Sequence, residues 1–165
     1  MASVVASDGV RLYAEAHGAG TPLVLSPALL TTHENWRPQV APLVAAGYRV
    51  VLWDYRGHGR SDAPDDPSLY SMERVIADLA EVLDAPAPGA PAVLGGLSFG
   101  GLASLHFALR FPARVRALLL VDTGPGFKDP AARKRREESA ERTASFLERR
   151  GLAALLAGRA AETMV

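Results

Sequence analysis

The sequence contains no cysteine among its 165 residues, which excludes disulfide bridges, cysteine metal sites and thiolate nucleophiles. Its basic and acidic residues balance at 18 each, so no excess charge attracts nucleic acid or an anionic membrane. No apolar run approaches the roughly 20 residues that cross a bilayer, and the N-terminus lacks the features of a signal peptide. These absences predict a cytoplasmic protein without nucleic-acid or membrane partners.

Motifs that bind cofactors are absent as well. No group of His, Asp and Glu residues has metal-ligand spacing, and no glycine-rich dinucleotide-binding or phosphate-binding motif occurs. We therefore expect no metal and no other cofactor. Hydrophobic residues make up 48% of the chain, which is enough for one domain with a substantial core.

Short apolar strands alternate with helices along the first three quarters of the chain. After a hairpin at 4–15, whose Asp8-Gly9 suits a type I′ turn, the pattern predicts strands at 23–26, 48–53, 92–94 and 115–121. Helices are predicted at 36–46, 71–84 and 102–111, and Ser71 can cap the second of them. Because parallel neighbours need crossover connections, this alternation predicts an α/β fold with a mostly parallel sheet and helices on both faces.

The pattern changes after Asp122. A loop at 123–126 precedes a long charged helix, which Asp129 can cap and which Gly151 ends, and a second short helix follows at 152–157. We expect residues 125–165 to form a helical segment over the sheet, separate from a core at 1–124.

A candidate nucleophile lies in Gly96-Leu97-Ser98-Phe99-Gly100, between a predicted strand and a predicted helix. This is the context of a nucleophile elbow, in which the serine is held in a strained turn above the sheet. The N–H of Phe99, the next residue, would then face an oxyanion at the helix N-terminus. The alternative is a glycine-rich turn in which Ser98 merely caps the helix.

Four segments together resemble the α/β-hydrolase superfamily. They match its third strand and oxyanion loop, the loop after its fourth strand, the elbow and the sixth strand; the segments are 22–36, 48–62, 95–101 and 118–122. The resemblance implies an α/β-hydrolase sheet that stops before the last strands, followed by the start of a helical cap. It also implies a serine hydrolase, since the haloalkane and epoxide branches use an aspartate at the elbow.

When this loop is matched residue by residue with the family's oxyanion loop, the resemblance implies that the Leu29 N–H is the second oxyanion donor. The family usually has His-Gly where this chain has Pro27-Ala28, so another group must anchor the loop. Ala28 also tolerates a positive φ less readily than glycine. Some family members place the catalytic acid after the sixth strand, which makes Asp122 a candidate acid, with a capping or loop role as the alternative.

The family's usual acid and histidine follow later strands, so the four histidines in this sequence are the candidate substitutes. We expect a structural role for His58, a packed or surface position for His106, and an exposed position for His17. His33, in the oxyanion loop, is a candidate substrate contact more than a base. Two loop aspartates, at 54 and 62, are expected to pair with the nearby arginines at 56 and 60.

Two hypotheses follow for function. In the first, the chain is part of a serine hydrolase that forms an acyl-enzyme on a small ester, lactone or related acyl substrate, weakly active alone because a base is missing. In the second, it is a non-catalytic remnant or a binding protein. Carboxylesterase, lactonase, perhydrolase, carbon–carbon hydrolase and acyltransferase activities stay open. The unpaired sheet edge is expected to recruit a second copy or a complementing C-terminal chain.

Overall fold

A computed structural model describes residues 2–85, 89–126 and 128–157, and contains one six-stranded sheet within that part of the chain. The chain divides into two compact units, Met1–Pro125 and Gly126–Val165. The strands of the first unit are β1 (Ala2–Val5), β2 (Arg11–His17), β3 (Thr21–Ser26), β4 (Tyr48–Trp53), β5 (Ala92–Leu97) and β6 (Val115–Val121). Its helices are α1 (Arg37–Ala45), α2 (Met72–Asp84) and α3 (Phe99–Arg110), with short 3-10 helices at His33–Trp36, Pro67–Leu69 and Pro112–Arg114.

The sheet has the order β1-β2-β4-β3-β5-β6. The first two strands run antiparallel to their neighbours, whereas β4, β3, β5 and β6 are mutually parallel. The prediction of a mostly parallel α/β sheet is therefore confirmed. Because parallel strands end at the same edge, the segments that follow β3, β4, β5 and β6 meet there, which is where ligands of such sheets bind.

Helices cover both faces of the sheet. Five apolar residues of α2 recur at helical spacing and are buried in the larger core cluster: Val75, Ile76, Leu79, Val82 and Leu83. Ser71 caps this helix, as predicted, by accepting a hydrogen bond from the Arg74 N–H at 3.2 Å. The opposite face carries a smaller cluster against which α1 packs: Leu23, Leu25, Trp36, Val50 and Leu52.

Glu15 on β2 forms an ion pair with Arg37 at the start of α1. Burial raises the pKa of Glu15, but hydrogen bonds with Tyr13, His17 and Arg37 lower it by more, to about 2. His17 is half-buried beside Glu15 rather than exposed as expected, with 3.1 Å between His17 Nε2 and Glu15 Oε1. This pairing ties β2 to the helix that follows the oxyanion loop.

Two local predictions about the sheet are wrong in detail. In the hairpin, only Gly9 has a positive φ (86°), so the turn is a three-residue loop rather than a type I′ turn. Strand β5 runs on through Gly95-Gly96 to Leu97, and α3 begins at once with Phe99. The glycines continue the strand because both neighbours, β3 and β6, pair with them.

The second unit consists of α4 (Pro130–Leu156) in its described part. Asp129 caps this helix by accepting hydrogen bonds from the Ala131 and Ala132 N–H groups. Gly151 interrupts it with φ 75°, so two helical pieces join at the residue predicted to end the first. The interpretation of this unit as the start of a cap remains a prediction.

Candidate active site

Ser98 lies in a strained turn between β5 and α3. Its backbone has φ 51° and ψ −111°, a conformation that costs a non-glycine residue about 1–3 kcal/mol and persists only where the surroundings enforce it. The Ser98 N–H donates to the Val121 carbonyl at 2.9 Å, and the Thr123 hydroxyl donates to the Ser98 carbonyl at 2.6 Å. The end of β6 therefore holds the backbone of the turn on both sides of the Ser98 side chain.

Three glycines around Ser98 are required by close backbone approach. A Cβ on Gly96 would lie 2.0 Å from the Gly100 carbonyl carbon, across the turn. One on Gly100 would lie 2.3 Å from the Ser26 carbonyl oxygen, and one on Gly101 would lie 2.3 Å from the Thr123 methyl group. The elbow glycines thus let the start of α3 contact both its own strand and the end of β3.

The Ser98 side chain does not cap α3. Ser98 occupies the N-cap position, but its hydroxyl makes no capping hydrogen bond. A serine that served only to start the helix would accept a hydrogen bond from one of the first helical N–H groups. The strained turn therefore presents a hydroxyl group that does not cap the helix.

The backbone N–H groups of Phe99 and Leu29 lack an acceptor within the described residues. Phe99 is the first residue of α3, so no helical carbonyl accepts its N–H. The Leu29 N–H likewise donates to no described group, and this residue is exposed. The contact of Gly100 with the Ser26 and Pro27 carbonyls brings the start of α3 against the beginning of the loop that carries Leu29.

The loop at residues 27–32, which the resemblance makes the expected oxyanion loop and which keeps that name below, is anchored without the His-Gly that is usual in the family. The buried Tyr55 hydroxyl donates to the Pro27 carbonyl at 3.0 Å, and the Tyr55 ring packs edge-on against Phe99 at 5.3 Å between centroids. Burial raises the pKa of Tyr55, so the hydroxyl keeps its proton and donates. Ala28 does not adopt a positive φ; the residue of this loop that does is Leu30, with φ 64°.

His33 and Asp54 form a buried pair at the end of this loop. Asp54 is fully buried and accepts hydrogen bonds from His33 N–H at 2.7 Å, His33 Nδ1 at 2.9 Å and the Arg60 N–H at 3.0 Å. His33 is only 2% exposed, so the expectation that it contacts substrate is wrong. Its role is to attach the end of the oxyanion loop to the residue that follows β4.

The expected pairing of the loop charges is also wrong. Arg56 does not pair with Asp54; it reaches into the core and forms two 2.7 Å hydrogen bonds with Asp78 of α2 and a third with Asp8. Asp62 pairs instead with Arg11 of β2, at 2.9 Å. Both partners are distant in sequence: Asp78 lies in the middle of α2, and Arg11 is the first residue of β2.

No histidine contacts Ser98 within the described part of the chain. His33 binds Asp54, His58 binds the oxyanion loop, His17 pairs with Glu15, and His106 is exposed on α3. Asp122 follows Val121, which pairs with Leu97, so Asp122 lies beside Ser98 in the register of β5 and β6. It is exposed and has φ 45°, so it is a further non-glycine residue with positive φ at this edge, after Leu30 and Ser98.

Over residues 2–85, 89–126 and 128–157, no three His, Asp or Glu side chains are grouped so that they could hold a metal ion. In the same ranges, no helix combines the length and the apolar character that crossing a membrane requires.

Comparisons with known proteins agree with this architecture. A protein named for carbamate hydrolysis, RutD of Azorhizobium caulinodans, is 41% identical over 111 residues, which are 67% of this chain and 40% of that protein. An epoxide hydrolase of Caballeronia sordidicola is 36% identical over 114 residues, covering 69% of this chain and 34% of that enzyme. The crystal structure of the enol-lactonase from Burkholderia xenovorans LB400 superposes with a TM-score of 0.77 at 30% identity, over 93% of this chain and 56% of the lactonase.

The chain thus spans between a third and just over half of the length of these three proteins. The family model described as alpha/beta hydrolase fold matches residues 21–163, which include the whole parallel part of the sheet and the elbow. With the strand order, the elbow and this match in agreement, the chain belongs to the α/β-hydrolase fold family.

Proposed function

We propose that this chain carries the nucleophile and the oxyanion hole of a serine hydrolase that acts on esters or lactones. The observation that carries the proposal is the Ser98 hydroxyl, which stands in an enforced, strained turn without serving the helix it precedes. Strain of this kind is retained where a function needs the geometry. The hydrolases among the relatives support the general class of reaction.

In the proposed reaction, Ser98 Oγ attacks the carbonyl carbon of the substrate and passes its proton to a general base. The carbonyl oxygen becomes an oxyanion, which the Phe99 and Leu29 N–H groups would stabilise. Collapse of this intermediate breaks the bond to the leaving alcohol, which takes the proton, and leaves an acyl-serine. Water then attacks the acyl group and regenerates Ser98.

The general base is not among the side chains that contact Ser98 in the described residues. We therefore propose that a residue outside those ranges supplies it, and that Asp122, next to Ser98 in register, is a candidate acid to orient that base. A serine without a base is a poor nucleophile at neutral pH, so the 165-residue chain by itself should turn over esters slowly. Oxyanion stabilisation alone still leaves a residual rate above that in water.

A substrate panel tests this proposal. The full-length gene product is assayed on p-nitrophenyl esters, an enol-lactone, a carbamate and an epoxide, next to its Ser98→Ala variant. We expect ester or lactone hydrolysis that the variant lacks. Turnover of the epoxide alone would contradict the serine mechanism, and tight binding without turnover of any substrate would favour a non-catalytic binding protein.

We also propose that the outer edge of β6 associates with another chain. Within the described sheet β6 pairs only with β5, and three of its apolar side chains are 37–42% exposed: Leu119, Leu120 and Val121. An exposed apolar edge strand readily pairs with a further strand. Sedimentation velocity of the 165-residue chain should show dimers or larger species, and a monodisperse monomer would contradict this.

A further inference from the structure

Two side chains of the loop after β4 hold the oxyanion loop on either side of Leu29. Before Leu29, the Tyr55 hydroxyl donates to the Pro27 carbonyl. After it, the Leu30 N–H donates to His58 Nε2 at 3.2 Å. Leu29 itself makes no hydrogen bond within the described residues. The peptide that carries its N–H is held through the Ala28 carbonyl, which accepts from the Thr31 hydroxyl at 2.8 Å and from the Thr31 N–H at 3.3 Å. The contacts of Tyr55 and His58 hold this turn on either side.

The contacts of His58 determine its protonation. Its Nδ1 lies 3.2 Å from the Arg56 carbonyl oxygen, which can only accept, so Nδ1 carries a proton. Its Nε2 accepts the Leu30 N–H and must therefore keep its lone pair. Both contacts are satisfied only by the neutral imidazole with the proton on Nδ1. The edge of the His58 ring also meets the Tyr55 ring, with centroids 5.7 Å apart.

Leu30 needs such a contact. A leucine with φ 64° is in the left-handed region, which is unfavourable for a side chain with a Cβ and persists only when other interactions enforce it. The described part of the chain gives the Leu30 N–H one acceptor, His58 Nε2. Leu30 is also the third residue of a turn that the Thr31 N–H closes on the Ala28 carbonyl, so this turn and the His58 contact hold it together. Without the His58 acceptor, Leu30 should shift toward negative φ, and the turn that carries the Leu29 N–H should move with it.

We infer that neutral His58 is a positioning residue: it holds Leu30 in its left-handed conformation and thereby directs the Leu29 N–H toward the oxyanion formed at Ser98. The inference rests on the proposed function for its catalytic consequence. Together with Tyr55, His58 holds a loop that carries Pro27-Ala28 where the family usually has His-Gly. It makes no hydrogen bond with the Ser98 hydroxyl within the described residues.

Nuclear magnetic resonance tests the contact without any need for activity. In the ¹⁵N-labelled full-length protein, we expect the His58 ring to carry its proton on Nδ1 and the Leu30 amide to exchange slowly with solvent. His58→Phe keeps the ring against Tyr55 but removes the acceptor, and should speed Leu30 exchange by about tenfold. His58→Gln offers its Oε1 in place of Nε2 and should restore protection. His106→Gln, at an exposed position on α3, is the matched control.

Kinetics tests the consequence. Because removing an oxyanion donor typically costs about 100- to 1,000-fold in kcat, misdirecting one should cost about 10- to 100-fold, with KM unchanged. We expect this loss in His58→Phe, recovery in His58→Gln and no change in His106→Gln. A merely structural histidine would affect folding stability without this split between kcat and KM.

Several outcomes would overturn the inference: a proton on Nε2 of His58, unchanged Leu30 exchange in His58→Phe, or lost protection with an unchanged kcat. The proposed function fails separately, if Ser98→Ala is as active as the parent protein. In that case the catalytic consequence falls with it, whereas the contact between His58 and Leu30 is decided by the amide exchange alone.

Discussion

Replacing Asp54 should destabilise the fold far more than replacing Asp62, eight residues along the same loop. Asp54 is fully buried and accepts three hydrogen bonds, two from backbone N–H groups and one from the His33 ring. Asp62 also accepts hydrogen bonds from the backbone and the side chain of Arg11, but the Arg11 side chain is largely exposed, so water can replace these bonds in the variant. Asp54→Ala and Asp62→Ala therefore make the same chemical change in opposite environments.

The magnitude follows from the three donors that Asp54→Ala leaves without their acceptor: the buried N–H and Nδ1–H of His33 and the part-buried N–H of Arg60. Each buried N–H without a partner costs about 1–3 kcal/mol, and because the contributions of neighbours are not additive, we expect a total loss of about 3–5 kcal/mol. That is a large fraction of the roughly 5–15 kcal/mol that stabilises a typical domain. Asp54→Asn should lose less stability than Asp54→Ala, because its amide oxygen can still accept a hydrogen bond. It should still be less stable than the parent, because its NH₂ group faces N–H donors.

Urea unfolding followed by tryptophan fluorescence measures this difference. Trp53 is fully buried next to Asp54 and Trp36 is in the smaller core cluster, so both report on the region. We expect the midpoint to fall strongly for Asp54→Ala and little for Asp62→Ala, with similar slopes. Equal shifts for the two variants would refute the reasoning, because it assigns the whole difference to burial.

Three further predictions concern the rest of the chain. Arg56→Met leaves the buried Asp78 carboxylate unpaired and should cost about 3–5 kcal/mol in the same unfolding assay. In the folded protein, the pKa of Glu15 lies below its ordinary value of 4.5. Its contribution to the free energy of unfolding should therefore be complete above about pH 4.5 and disappear as the pH falls toward about 2. Unfolding curves of the parent and of Glu15→Gln should converge over that interval. Gly100→Ala forces a Cβ against the Ser26 carbonyl and should lower both stability and esterase activity; Gly89→Ala meets no neighbouring atom but has φ 74°, so it should cost some stability and spare activity.

Elements governed by neighbouring residues were predictable from the sequence. Strand β6 and the start of α2 lie where the apolar pattern and the Ser71 cap indicated, because both signals are local. The kink at Gly151 was predictable for the same reason. The elbow was recognisable since its glycines, strand and helix are contiguous.

Contacts between distant segments were not predictable in this way. Nothing near Arg56 in the sequence indicates that its partner is Asp78, one of the few charged residues on the buried face of α2. Leu30 is an ordinary residue by sequence, and its positive φ arises from tertiary contacts such as that with His58. The sequence shows that the usual His-Gly anchor of the oxyanion loop is absent. The contacts of Tyr55 and His58 with this loop are visible only in the fold.

Mapping the covalent adduct of a serine-directed fluorophosphonate tests the central claim most directly. The full-length protein is treated with the probe, digested, and the modified residue is identified by mass spectrometry, with Ser98→Ala as the matched control. We predict one adduct, on Ser98, formed in parallel with the loss of ester hydrolysis and absent from the variant. Inactivation through another residue, or full activity in Ser98→Ala, would contradict the claim that Ser98 is the nucleophile.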